Sequence, residues 1–174
     1  MTSDFRIRSL APAEALDAAG ALAAVLADCV RGGASVSFMA DMTLADAEAF
    51  WREAAQAGDG RAILVAEDDA GIFGVVQVIP FWAPNQPHRA EISKLLVHRR
   101  ARGRGAAQAL MRAAEAAVRE MGRSLATLDT VTGGAAERLY EKLDWTRVGS
   151  IPDYALMPDG RPCATTVFYK ALSE

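Results

Sequence analysis

The most constraining stretch of the chain is Arg102-Gly103-Arg104-Gly105-Ala106-Ala107, an Arg/Gly turn leading from a strand-like run into a strongly periodic helix. A helix begins with about four backbone N–H groups that have no intrahelical acceptor, and no Ser, Thr, Asp or Asn stands here as a side-chain cap. The acceptor must come from elsewhere. Two glycines allow close backbone approach, the helix dipole favours negative charge, and Arg102 and Arg104 add cationic side chains, so a phosphate or pyrophosphate is the expected partner. A solvated turn capped by water is the plainer alternative. No Gly-Lys-Ser or Gly-Lys-Thr occurs, and Gln108 stands where a dinucleotide fingerprint needs its third glycine.

The elements around this turn alternate in kind. Phe5 to Leu10 reads as a first strand. From Pro12 a single helix with the stripe Leu16, Ala19, Leu22, Ala23, Leu26 and Val30 runs to Gly32-Gly33. Thr43, with Asp46 three residues on, caps a second helix. Residues 62–67 and 72–79 form a hairpin about the turn at Asp68 to Gly71, Arg89 to Val97 is a central strand, and Gly105 to Met121 is a long helix. Strand 124–131, helix 135–143, and strands 146–151 and 165–171 follow, which gives an α/β domain: a mixed sheet of about seven strands flanked by about four helices. With 174 residues, one domain spanning 1–174 is the expectation.

Composition narrows the function. Nineteen basic against 22 acidic residues leave a net charge of −3, which argues against a dedicated nucleic-acid binder, although Arg99, Arg100, Arg102 and Arg104 could still form a local contact. Cys29 and Cys163 stand far apart with no Cys/His cluster, so neither a metal nor a disulfide is expected, and a reducing, cytoplasmic setting fits. No apolar run is long enough to span a membrane.

Upstream of the turn, Glu91 to Lys94 alternates in polarity while Leu95, Leu96 and Val97 are apolar in succession. The broken period points either to a bulge, which would free backbone groups for a ligand arm, or to a strand buried on both faces.

Arg102-x-x-Gly105-x-Ala107 resembles the acetyl-CoA signature of the GNAT N-acetyltransferases, and Leu139-Tyr140-Glu141-Lys142-Leu143-Asp144-Trp145 looks like that family's later helix motif. The resemblance implies a splayed mixed sheet, pantetheine along Leu95, Leu96 and Val97, pyrophosphate on the amides of Arg102, Gly103, Arg104, Gly105, Ala106 and Ala107, no metal, and acetyl transfer to an amine. A wider likeness covers about Gly32 to Leu172. Residues 32–41, Arg89-Ala90-Glu91, Leu128-Asp129-Thr130, Thr146 to Gly149 and Pro158 to Arg161 resemble the tabtoxin-resistance branch, whose members acetylate the amine of an amino-acid toxin. That implies a small-molecule amine as partner, and a monomer or homodimer. Three positions depart from the family pattern: Gly133 where Asn is usual, Asp144-Trp145 for Gly-Phe, and Arg99 for Pro.

Within that resemblance, Tyr140 is the expected proton donor to the departing thiolate and a further cofactor contact, with a buried structural Tyr as the alternative. Glu91 and Asp129, carboxylates on elements expected to be largely buried, are candidate bases acting directly or through water. The alternatives are a pair between Glu91 and Arg89 or Lys94, and a capping role for Asp129. A backbone N–H near Leu95 or Leu96 would polarise the thioester carbonyl. Ser35 and Asp41, in a loop expected to floor the acceptor pocket, and Tyr154, in a loop after a strand, are candidate acceptor contacts. Phe38 and Met39 are expected to pack. A protein N-terminus or lysine as acceptor, and a non-catalytic acyl-CoA or nucleic-acid binding module, are the competing readings.

Overall fold

The computed structural model describes residues 4–172. Its elements are β1 (Arg6–Leu10), α1 (Pro12–Asp17), α2 (Ala19–Arg31), α3 (Leu44–Gln56), β2 (Ala62–Asp68), β3 (Gly71–Pro80), β4 (Arg89–Val97), a 3-10 turn (Arg99–Ala101), α4 (Ala106–Glu120), β5 (Leu125–Val131), α5 (Ala135–Lys142), β6 (Thr146–Leu156) and β7 (Pro162–Ala171). The strands form one seven-stranded sheet in the order β1-β2-β3-β4-β5-β7-β6. Only β4 and β5 run parallel; every other neighbouring pair is antiparallel.

Each face of the sheet carries its own core. On one, α4 lays Leu110, Met111, Ala114 and Val118, all fully buried, against Phe73, Val76, Val78, Ile92, Leu128 and Phe168, with Tyr140, Leu143 and Trp145 completing the layer. Burial of a Leu, Met or Val side chain contributes roughly 1.5–3 kcal/mol, so this stripe holds α4 firmly over the sheet. On the other face, Leu22, Val25, Leu26 and Val30 of α2 and Trp51 of α3 pack on Ile63, Val65, Val75 and Leu96. The second core stops at β4. Among the described residues no helix lies over that face of β5, β7 and β6, which leaves an open shelf.

Two boundaries depart from the expectation. The first helix is two, parted at Ala18, where ψ is −2°, because α1 leans on α3 while α2 lies along β3. Tertiary contacts supply that bend, and Gly20, a weak helix former, stands two residues beyond it. The last two strands are longer than expected, since register shifts in β6, one of them between Ile151 and Ala155, absorb Pro152 and Asp153 without ending the strand. Tyr154 therefore stands on a strand, where it is exposed, and not in a loop. The capping box of α3 is as expected: Thr43 Oγ1 accepts from the Asp46 amide at 3.1 Å, and Asp46 Oδ2 accepts from the Thr43 amide at 2.9 Å.

Candidate active site

The central event is a bulge in β4. Val75 pairs with Leu96 and Gln77 with Ser93, so Val76 alone faces both Lys94 and Leu95. Lys94 takes φ of +54°, a left-handed conformation that side chains rarely adopt. The extra residue also flips the strand: Ile92 packs in the α4 core, whereas Leu96, four residues on, packs in the α2 core. Strict alternation would put both on one face. Beyond the bulge Leu95 and Val97 return to the α4 side.

The bulge bends β4 away from β5. The two strands pair only from Arg89–Leu125 to Glu91–Thr127, and after that rung they part. The facing edge of β4 from Ile92 onward is left without a strand partner, a backbone edge open to a ligand arm. Part of this edge is in use: the Val97 carbonyl accepts from Arg102 Nε at 3.2 Å and from the Cys29 thiol.

The Arg/Gly turn closes one end of this cleft. Gly103 (φ +79°) and Gly105 (φ +81°) both hold left-handed backbone, with Gly105 as the N-cap of α4 and no side-chain cap. The first helical bond is from Ala109 N to Gly105 O, so the amides from Gly103 to Gln108 have no acceptor among the described residues. Such a run of free N–H groups at a helix N-terminus fits a diphosphate. The arginines share the work differently from the sequence expectation. Arg104 is drawn off by Asp68, 2.8 Å away, as is Arg100 at 3.0 Å, while Arg99 pairs with Asp28. Three of the four basic side chains proposed for a nucleic-acid contact are thus already neutralised. Arg102, which has no carboxylate partner among the described residues, is the one left to meet an added anion. Its neighbour Cys29 is buried, and that burial pushes the thiol pKa up.

On the α5 side, Tyr140 is only 5% exposed, its ring packed between Trp145 and Phe168. Its hydroxyl has no hydrogen-bond partner among the described residues. Burial, and secondarily the charge of Asp129, hold the phenol pKa well above its ordinary value. At Gly133, the position that departs from Asn, the amide donates to the buried Glu137 carboxylate, whose pKa that bond lowers. A side chain is missing there, and the backbone donor is occupied.

The two candidate carboxylates lie closer to solvent than their strands suggested. Asp129 is exposed and Glu91 half-buried, because the splay and the open shelf remove the cover a sheet interior would give. The Thr165 hydroxyl lies 2.7 Å from Asp129 Oδ2. Neither Arg89 nor Lys94 forms an ion pair with Glu91, and Asp129 caps no helix. Lys94 Nζ instead donates to Ser37 Oγ at 3.1 Å; burial lowers its pKa, with the charges of Glu91 and Asp129 opposing.

Ser37 belongs to the loop after α2. It too has positive φ (+77°), so two strained residues meet across this contact. From there the loop reaches the far end of β6: Ser35 Oγ donates to Leu156 O at 2.7 Å and Ala40 N to Pro158 O at 3.0 Å. It therefore crosses the shelf from the β4 side to the end of β6. Phe38 packs on Phe50, as expected, but Met39 is 39% exposed, and Asp41 is exposed as well. Ser37, Thr165 and Asp68 were not singled out from sequence, and Lys94 was considered only as a partner for Glu91. The break in alternation at Lys94 was the available signal; the others depend on pairings far apart in the chain.

A sheet parted beside a helix start lined with free amides defines a coenzyme A-dependent acyltransferase fold. The family model described as the acetyltransferase (GNAT) family matches residues 26–145, and the chain belongs to that family. Its cosubstrate is acetyl-CoA. Solved structures agree in fold over nearly the whole chain. The acetyltransferase yncA of Salmonella typhimurium, solved with acetyl-CoA, is 21% identical with a TM-score of 0.80, covering 99% of this chain and 96% of its own. A phosphinothricin acetyltransferase of Sinorhizobium meliloti, also with acetyl-CoA, is 19% identical at 0.79, covering 98% and 90%. The ribosomal-protein-alanine N-acetyltransferase of Brucella melitensis is 25% identical at 0.76, covering 95% and 99%. No cluster of His, Cys, Asp or Glu able to hold a metal, and no helix long and apolar enough to cross a membrane, occurs among the described residues.

Proposed function

We propose that the protein transfers an acetyl group from acetyl-CoA directly to the primary amine of a small molecule with amino-acid character. The observation that carries this reading is the free backbone edge of β4 beyond its last rung with β5, with Glu91 on that rung, Asp129 two residues past it, and the unpartnered Tyr140 hydroxyl near enough to feel the charge of Asp129. Bound acetyl-CoA supplies an activated thioester. The amides from Gly103 to Gln108, with Arg102, would hold its diphosphate, and the β4 edge from Leu95 to Val97 its pantetheine arm.

The chain's own groups divide the remaining tasks. An N–H of β4 near Leu95 or Leu96 polarises the carbonyl at the point where negative charge grows. Tyr140, kept as a phenol by burial, donates a proton to the sulfur as it leaves. Asp129 or Glu91 accepts a proton from the acceptor ammonium, directly or through water; Thr165 fixes the orientation of Asp129. The loop of residues 32–41, with Ser35 and Asp41, and the exposed Tyr154 border the acceptor entrance.

Two things favour a small, amino-acid-like acceptor: the likeness of residues 32–41 and 158–161 to the tabtoxin-resistance acetyltransferase, and a phosphinothricin acetyltransferase among the structural neighbours. The loop across the shelf favours it over a protein N-terminus. Both cysteines are free, which fits the cytoplasm, where the protein would act as a monomer or homodimer. Acetyl-CoA-dependent thiol release against amino acids, aminoglycosides, polyamines and N-terminal peptides tests the assignment. Turnover with small amines is expected; transfer confined to peptides would overturn it.

A further inference from the structure

Arg89 occupies an unusual setting for a half-buried arginine. Its Nε donates to Gln86 Oε1 at 2.7 Å and its Nη1 to Thr127 Oγ1 at 2.8 Å, both neutral acceptors, and its guanidinium carbon lies 3.6 Å from the centre of the Phe81 ring. Arg99, Arg100 and Arg104 near the cofactor turn are matched with aspartates, and Arg102 in the turn is left for the diphosphate; Arg89, away from the turn, makes no ion pair either, although Glu91 stands two residues away on the same strand. A guanidinium stacked on a ring and braced by two neutral oxygens is held in place with its charge uncommitted.

Its location gives that charge a use. The Cα of Arg89 sits at the closed end of the β4–β5 pair, opposite Leu125, yet its side chain reaches Thr127, which is opposite Glu91. The guanidinium is therefore carried to the last rung before the sheet parts. Asp129 is two residues farther along β5 on the same face, about 7 Å away by strand rise. That face is the open shelf. An α-amino acid has about 3 Å between its nitrogen and a carboxylate oxygen and adds a hydrogen bond of about 2.8 Å at each end, a reach of up to about 8.6 Å that is enough to bridge groups borne two residues apart on a strand. The charged groups facing this space are Glu91 and Asp129, which suit an ammonium, and Lys94, whose ammonium is held on Ser37 within the field of both carboxylates.

We infer that Arg89 is the anion-binding residue of the acceptor site, holding the carboxylate of an amino-acid acceptor while its amine lies against Asp129 and Glu91. The inference rests on the amine-acetylating reading above and narrows its substrate class to amines that carry a carboxylate close to the reacting nitrogen. Phe81 and Gln86 position Arg89 and do not themselves meet the substrate.

The test compares amino acids with their matched carboxamides, which keep the amine and lose the negative charge, in the wild-type protein and in Arg89→Gln. Acids should exceed carboxamides in kcat/KM by about tenfold to a hundredfold, the size expected for a charge-assisted bidentate contact. Arg89→Gln should remove that preference through the acceptor KM. Arg89→Lys should restore part of it. The KM for acetyl-CoA and its effect on the melting temperature should stay unchanged in both variants, which shows an intact fold. Equal use of acids and carboxamides, or a preference that survives Arg89→Gln, overturns the inference while leaving N-acetyl transfer standing. Failure of every amine to accept acetyl, with or without a carboxylate, overturns both.

Discussion

Tyr140 is held by burial and by the charge of Asp129 in its neutral form, and both act in the same direction. A phenol with a raised pKa is a poor base and a durable proton source, so its removal should affect the chemical step more than binding. Tyr140→Phe, which keeps the ring against Trp145 and Phe168, should lower kcat by about a hundredfold or more with acetyl-CoA affinity unchanged. Because the ordinary phenol value is about 10, the wild-type to variant rate ratio should also stay constant from about pH 7 to about pH 9.5. A ratio that falls within that range would show that Tyr140 ionises there and does not serve as the acid. The inward packing of Tyr140 was legible from its helical spacing. The exposure of Asp129 was not, because a strand of alternating polarity cannot say whether its polar face meets another layer or water.

At the scale of elements, two left-handed glycines and one aspartate shape the cofactor turn. A Cβ added to Gly105 would meet nothing within 4 Å, so the cost of Gly105→Ala lies in its φ of +81°. That strain is about 1–2 kcal/mol. Relieving it must turn the neighbouring amides, so acetyl-CoA affinity measured by calorimetry should fall about tenfold or more. Asp68, at the end of β2, draws Arg100 and Arg104 onto the hairpin and is thereby held well below the usual carboxylate range. A depressed folded-state pKa stabilises the fold above the unfolded value of about 4 and loses that contribution as pH falls below it. Urea midpoints should therefore decline between about pH 5 and about pH 2 in the wild type, and decline less in Asp68→Asn. An identical decline in both would remove Asp68 from the acid limb. The glycines were readable in the sequence as a motif; the partner of Arg104 was not, since it lies 36 residues upstream and meets the turn only through β2 and β3.

For the whole molecule, binding at the cleft should tie together two halves of the sheet that share only a short parallel pairing. A ligand that binds only the native state stabilises it by about 2.7 kcal/mol at a hundred times its dissociation constant. For a chain of this size that corresponds to a rise in melting temperature of about 5–10 °C with saturating acetyl-CoA. An unmoved melting curve would refute binding in the cleft. What the sequence determined by itself was local: the order and type of the elements, the capped start of α3, the uncapped start of α4, and the broken period in β4 with the glycine turn beside it. These follow from side-chain spacing, caps and glycine, which act within a few residues. The tertiary structure alone decided where the sheet parts, which arginines keep their charge free, that residues 32–41 cross to β6, and that Arg89 reaches the last rung. Each depends on pairing between segments tens of residues apart, and the energy of such contacts leaves no periodicity in the chain to read.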